Sequence, residues 1–145
     1  MSFLEWDSKY EVGVPMIDNQ HRRVVDHINQ LHRAVENGDR LEVMDVLDQL
    51  VEYTVAHFGF EEAMQEKGQY PRAEEHKQVH QEFARKVDQY RQRFENGEDI
   101  AGKLLEELNI WFISHIQEED ADYVPYLKSN VGRDGFSAAL SKFFG

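Results

Sequence analysis

Apolar positions recur at three- and four-residue intervals in four successive stretches of this chain, each closed by a glycine, an asparagine–glycine pair or a proline. That spacing puts each set on one face of a helix. In the first stretch Ile17, His21, Val24, Ile28, Leu31 and Val35 share a face until Asn37-Gly38 stops it, with Asp18 as the expected N-cap. The second opens on Asp39 with Glu42 three residues later, the pattern of a capping box. It carries Val43, Leu47, Leu50, Thr54, His57, Glu61 and Met64 before Gly68. The third places Pro71 in its first turn, reads His76, His80, Phe83, Val87, Tyr90 and Phe94, and ends at Asn96-Gly97. The fourth starts near Asp99, carries Ala101, Leu104, Leu108, Trp111 and His115, and ends by Pro125 or shortly after. No period-two alternation competes with these helices.

Residues 1–17 keep no period and contain Gly13 and Pro15, which predicts an ordered arm anchored by Phe3, Leu4 and Trp6. Residues 129–145 predict a short helical tail. Its Phe136, Leu140, Phe143 and Phe144 are expected to fold back on the helices, the alternative being contact with a partner. The predicted fold class is all-α: an antiparallel up-down-up-down four-helix bundle with an N-terminal arm and a short C-terminal helical tail. The whole chain, 1–145, reads as one domain, with the arm at 1–17, the bundle at 18–128 and the tail at 129–145.

Connectivity turns this pattern into a geometric expectation. His21 lies near the start of the first helix, His57 and Glu61 near the end of the second. His76 and His80 lie near the start of the third and His115 near the end of the fourth. In an antiparallel bundle these helix ends share one end of the molecule, so five histidines from four helices converge in one layer. Each takes a stripe position that Leu or Val would otherwise fill. A single inward histidine is usually a hydrogen-bonded core residue. A carboxylate buried among imidazoles, with no Lys or Arg on the same stripes, is costly without a cation. The set therefore reads as a metal site. A zinc hydrolase motif H-E-x-x-H is absent, and the ligands are too many for one. His27 and His32 fall outside the layer: His27 faces elsewhere, and His32 lies about 16 Å further along its helix than His21.

Composition narrows the chemistry. The chain has no cysteine, so thiolate sites, iron–sulfur clusters and disulfides are out, and a metal must be held by nitrogen and oxygen. A formal charge of −12 disfavours nucleic acid and anionic membranes as partners. No apolar run reaches the roughly 18–20 residues of a membrane span and no signal peptide is evident, so a cytoplasmic monomer without membrane insertion is expected. After His115 the sequence offers Glu118, Glu119 and Asp120. Glu118 and Glu119 fall nearest the His115 face and ideal helix geometry chooses Glu119; Asp120 lies about 140° from that face and would need a π-bulge to reach it.

Taken together the motifs resemble those of the hemerythrin-like family, specifically its single-domain bacterial members, the bacteriohemerythrins. The matching pieces are Trp6 and Tyr10 (W-x-x-x-Y), Asp18 to His21 (DNQH), His57 to Met64 (HFGFEEAM), His76-x-x-x-His80, and H-I-x-x-x-D-x-x-Y from His115 to Tyr123. They span most of the chain. The resemblance implies two iron ions with a bridging oxo or hydroxo group and seven ligands. His76, His80 and His115 would hold one iron and His21 and His57 the other, with Glu61 and Asp120 bridging both. One position on the two-histidine iron would stay open for dioxygen. Trp111 and Phe112 are candidates for an apolar oxygen pocket, the family often having Leu where Phe112 stands, and Tyr123 is a candidate supporting residue. The function implied is reversible dioxygen binding for storage, delivery or scavenging, with an oxygen-consuming enzyme as the recipient. The alternatives are an oxygen or redox sensor acting through a signalling partner, and a di-iron peroxidase or oxidase. Ferritin-like di-iron enzymes carry Glu-x-x-His pairs, and this chain has none.

Overall fold

The computed structural model describes residues 4–144, with the backbone alone at 118–121. Its elements are α1 (Pro15–Asn37), α2 (Arg40–Lys67), α3 (Ala73–Glu95) and α4 (Ala101–Ser114), then a π-turn at His115–Asp120, α5 (Ala121–Asn130) and α6 (Arg133–Phe144). A single 3-10 turn, Ser8–Tyr10, interrupts the N-terminal arm. Helix α1 packs on α2 and α4, and α3 packs on the same two, which closes a ring of four. Short connections force neighbours to run antiparallel. Among the described residues there is no strand.

The helix ends follow local chemistry, with two departures from expectation. Asp39 caps α2 by accepting hydrogen bonds from the Leu41 and Glu42 amides. Asn37-Gly38 ends α1, with Gly38 in the left-handed region at φ 68. Asp18, expected to cap α1, does not. The helix begins three residues earlier at Pro15, whose fixed φ suits the first helical position and whose missing N–H needs no partner. The Asp18 carboxylate instead accepts from the Val12 and Gly13 amides, at 2.8 and 3.2 Å, and so ties the incoming loop to the helix. Pro71 likewise precedes α3 rather than opening it, because Tyr70 to Arg72 form a turn whose carbonyl at Tyr70 accepts from Ala73.

The fourth helix shifts its register after His115. An uninterrupted α-helix would carry the inward face from His115 to positions 122 and 126. Asp122 and Tyr126 are exposed, whereas Tyr123 and Leu127, one residue later in each case, are fully buried. The π-turn supplies that extra residue, since its hydrogen bonds close at i→i+5 instead of i→i+4. Pro125 then sits inside α5 without ending it, and the helix runs on to Asn130.

The arm and tail both dock. Leu4 is buried, and its amide and carbonyl pair with the Asn29 side chain at 2.8 Å each, while Trp6 lies beside Arg22 and Tyr10. Phe3 lies outside the described residues. Helix α6 folds back onto α2, with Phe144 against Tyr53 and Phe60 and Phe143 over Gly59. The core has two parts. The larger spans all four helices from Val24 and Leu47 to Leu104 and Ile116; the smaller gathers Ile17, Phe60, Met64, Tyr123 and Leu127 under α6. The histidine layer lies where one gives way to the other.

A Cβ at Gly59 would stand 2.5 Å from the Phe143 ring. Gly59→Ala should therefore destabilise the protein by about 1 kcal/mol, despite alanine's better helix propensity, and should stabilise it by about 1 kcal/mol in a Phe143→Ala background. Urea unfolding of the four proteins in this cycle checks the reversal; equal shifts in both backgrounds would rule the contact out.

Candidate metal centre

Four helices each place imidazoles in one buried layer. His21 comes from α1, His57 and Glu61 from successive turns of α2, His76 and His80 from successive turns of α3, and His115 from the junction of α4 with the π-turn. Glu61, His21 and His57 are fully buried and the other three are at most 5% exposed. The two oxygens of Glu61 face opposite ways. Its Oε1 lies 3.5 Å from His21 Nε2 and contacts His57 Nε2, while its Oε2 lies 3.5 Å from His76 Nε2 and 3.8 Å from His80 Nε2. His115 Nε2 closes the second set, 3.3 Å from His76 Nε2 and 3.1 Å from His80 Nε2. Two donor groups result, one of His21, His57 and Glu61 and one of Glu61, His76, His80 and His115, each with its donor atoms within 4.8 Å of one another.

These distances suit metal ions. Ligands held about 2.1 Å from an ion, at right angles to one another, stand roughly 3 Å apart. The Nε2–Nε2 separations within the three-histidine set match that spacing. A metal-free layer would leave a carboxylate deep in an apolar core, where a charge is stable only when balanced. A pair of cations, one on each face of the Glu61 carboxylate, supplies that balance. The donor set is hard and borderline, imidazole and carboxylate with no sulfur, which suits iron and its neighbours. The residues present fit a two-metal centre.

A second layer orients the rings. Gln20 Oε1 stands 2.6 Å from His57 Nδ1 and, as an amide oxygen, can only accept, so Nδ1 carries the proton and Nε2 turns its lone pair inward. The Gln65 amide lies 2.8 Å from His76 Nδ1. Aromatic rings cover the rest. Phe58 stacks on His80 at 3.8 Å, Trp111 stacks on His115 at 4.5 Å and on Phe83 at 3.7 Å, and Phe112 meets His21 edge-on at 5.7 Å. Phe112 is buried, and Trp111 is half-buried at the head of a groove of about 320 Å3 that reaches His115 between α3 and α4. Tyr123 packs edge-on against His76 at 5.6 Å. Beside it, burial and a hydrogen bond to Asp122 push the Tyr70 phenol up from its ordinary value.

Six of the seven expected ligand positions thus meet at Glu61. The seventh, Asp120, has its side chain outside the described residues, as do Glu118 and Glu119. The backbone bears on the choice among them. A turn closed at i→i+5 brings position 120 round to the side of His115, where an α-turn would bring 119. His27 and His32 stay apart from the layer. His27 is buried against Tyr53, where desolvation and then Arg23 hold its pKa below the usual value; His32 pairs with Glu36 at 3.4 Å. Gln20 and Phe58 stood in the sequence motifs without an assigned role, and Gln65 was not singled out. Gln65 had a usable signal, since it continues the His57, Glu61 stripe by one more turn.

The chain is similar to several known proteins. The family described as "Hemerythrin HHE cation binding domain" matches residues 12–127. Bacteriohemerythrin of Pseudomonas aeruginosa is 36% identical over 153 residues, an alignment covering 100% of both chains. Myohemerythrin of Sipunculus nudus is 26% identical over 118 residues, 81% of this chain and 88% of its own. The crystal structure of wild-type hemerythrin superposes with a TM-score of 0.83 at 27% identity, covering 87% of this chain and 98% of that one.

The buried carboxylate makes metal binding and folding one equilibrium. Ferrous iron at a hundred times its Kd should stabilise the protein by about 3 kcal/mol. Glu61→Gln should unfold no more easily than the parent without metal and should lose most of that gain. Thermal melts with and without anaerobic ferrous iron measure it; an undiminished gain in the variant would remove Glu61 from the site.

Proposed function

The chain belongs to the hemerythrin family, and we propose that it binds dioxygen reversibly at a pair of iron ions held between its four helices. One observation carries the reading: a single buried carboxylate turns one oxygen to a two-histidine set and the other to a three-histidine set. On this reading His76, His80 and His115 hold one iron and His21 and His57 hold the other. Glu61 would be shared between them, and Asp120, which the π-turn brings to the side of His115, would be the second shared carboxylate. The bound iron pair would supply the two electrons that dioxygen takes up on binding and returns on release.

The protein's own part is to keep that exchange reversible. The half with two histidines has fewer protein ligands and is where a small ligand would enter. Phe112 stands against His21 on that side, Phe58 covers His80, and Trp111 covers His115. Apolar walls of this kind exclude water and stray protons, which would otherwise release a reduced oxygen species and leave the metals oxidised. A phenylalanine at 112 fills more of the pocket than a leucine would, and so restricts what can approach His21. The donor set, five imidazoles with Glu61 as the described carboxylate, favours binding over oxygen activation. That weighs against a peroxidase or oxidase, and storage, delivery or scavenging is the role it supports. Among the described residues no helix is long and apolar enough to cross a membrane.

Reduced protein prepared with iron should contain two irons per chain and develop a visible absorption band on exposure to oxygen that fades when oxygen is removed. His57→Ala should lose the second iron and the band. Two irons that oxidise at once with no persistent band would favour redox chemistry instead, and absence of iron would end the di-iron reading.

Replacing Phe112 by Leu should enlarge the pocket beside His21 and shorten the lifetime of the oxygen complex about tenfold, because the apolar shell controls solvent access to the metals. The decay of the same band measures it, and an unchanged lifetime would take Phe112 out of the pocket.

A further inference from the structure

Two buried amides stand behind the histidine layer, and we propose that Gln20 and Gln65 are positioning residues that set the redox balance of the centre, one for each half of it. The inference rests on the di-iron reading above and adds to it residues outside the ligand set. An imidazole that holds a cation through Nε2 keeps its proton on Nδ1 and needs an acceptor there. Gln20 reaches from α1 to His57 at 2.6 Å, and Gln65 reaches from α2 to His76 at 2.8 Å. Both side chains lie out of solvent, at 4% and 0% exposure, so neither contact is shared with water.

The choice of an amide has a consequence. A carboxylate behind a ligating histidine draws its proton outward, makes the ring a stronger electron donor and stabilises the more oxidised ion. An amide oxygen accepts without a charge and does so weakly. This chain places amides at one ring of each half, although it is rich in acids. Glu62, the carboxylate beside His80, stays 3.8 Å from its Nδ1, outside hydrogen-bond range. Weak acceptors keep the reduced irons favoured, which is the condition for giving oxygen back. Gln20 presents its oxygen to His57, and the Gln65 amide lies against His76 Nδ1, where its oxygen can accept the ring proton.

The test uses the full chain and does not depend on oxygen binding. In iron-loaded protein, Gln20→Glu and Gln65→Glu should each keep two irons, lower the reduction potential and shift the balance toward the oxidised form at least tenfold. In metal-free protein, Gln20→Leu and Gln65→Leu should weaken cobalt(II) binding by about 10–100-fold, with helix content unchanged and the Glu variants restoring affinity. An unchanged potential in both Glu variants, loss of iron from them, or parental cobalt(II) affinity in the Leu variants would each overturn the proposal. If the parent protein itself takes up no iron, the di-iron reading fails, and the cobalt(II) titration alone decides whether the amides position the rings.

Discussion

A negative charge at the middle of an apolar bundle is the constraint on which the rest of this structure turns. Glu61 has no exposure, and both of its oxygens face imidazole nitrogens. Removing a carboxylate from water costs several kcal/mol unless cations or strong donors replace the solvent. The histidines, the two amides that hold their rings and the aromatic cover can all be understood as answers to that cost. Helix α2 carries His57, Glu61 and Gln65 on one face at one-turn intervals, so a single helix supplies a ligand, the shared carboxylate and an orienting amide. The other helices complete around it what α2 begins.

Much of this was legible in the amino-acid sequence, for a physical reason. Helical spacing is a local property, and antiparallel connectivity follows from short breaks, so spacing and order together place His21, His57, His76, His80 and His115 in one layer. What local reasoning missed depends on contacts between elements. Phe58 faces His80 across two helices, and no spacing rule on α2 indicates a stack with α3. Asp18 fits the N-cap pattern, yet Pro15 starts the helix before it, because a proline's preset backbone outweighs a side-chain cap that would come later. The docking of α6 depends on a glycine at 59, which reads as an ordinary weak point in a helix until the ring of Phe143 is seen lying on it.

The two apolar cores give the layer its setting. The larger holds the four helices together and reaches the histidine rings through Phe58 and Phe112, and the smaller closes the opposite side beneath α6. Neither α5 nor α6 contributes an imidazole to the layer, but Tyr123 from α5 touches His76, and Phe144 from α6 touches Phe60. Segments outside the ring of four helices therefore pack over one end of the layer.

The extra residue in the π-turn marks a limit on how such a centre can be copied. An idealised bundle built from straight, regular helices could carry Glu61 and the five histidines at their present spacings. Beyond His115 it would bring position 119 rather than 120 round to the His115 side, and would bury Asp122 and Tyr126 in place of Tyr123 and Leu127. A designer grafting this centre onto a regular scaffold would have to build the irregularity first and choose the sequence after it.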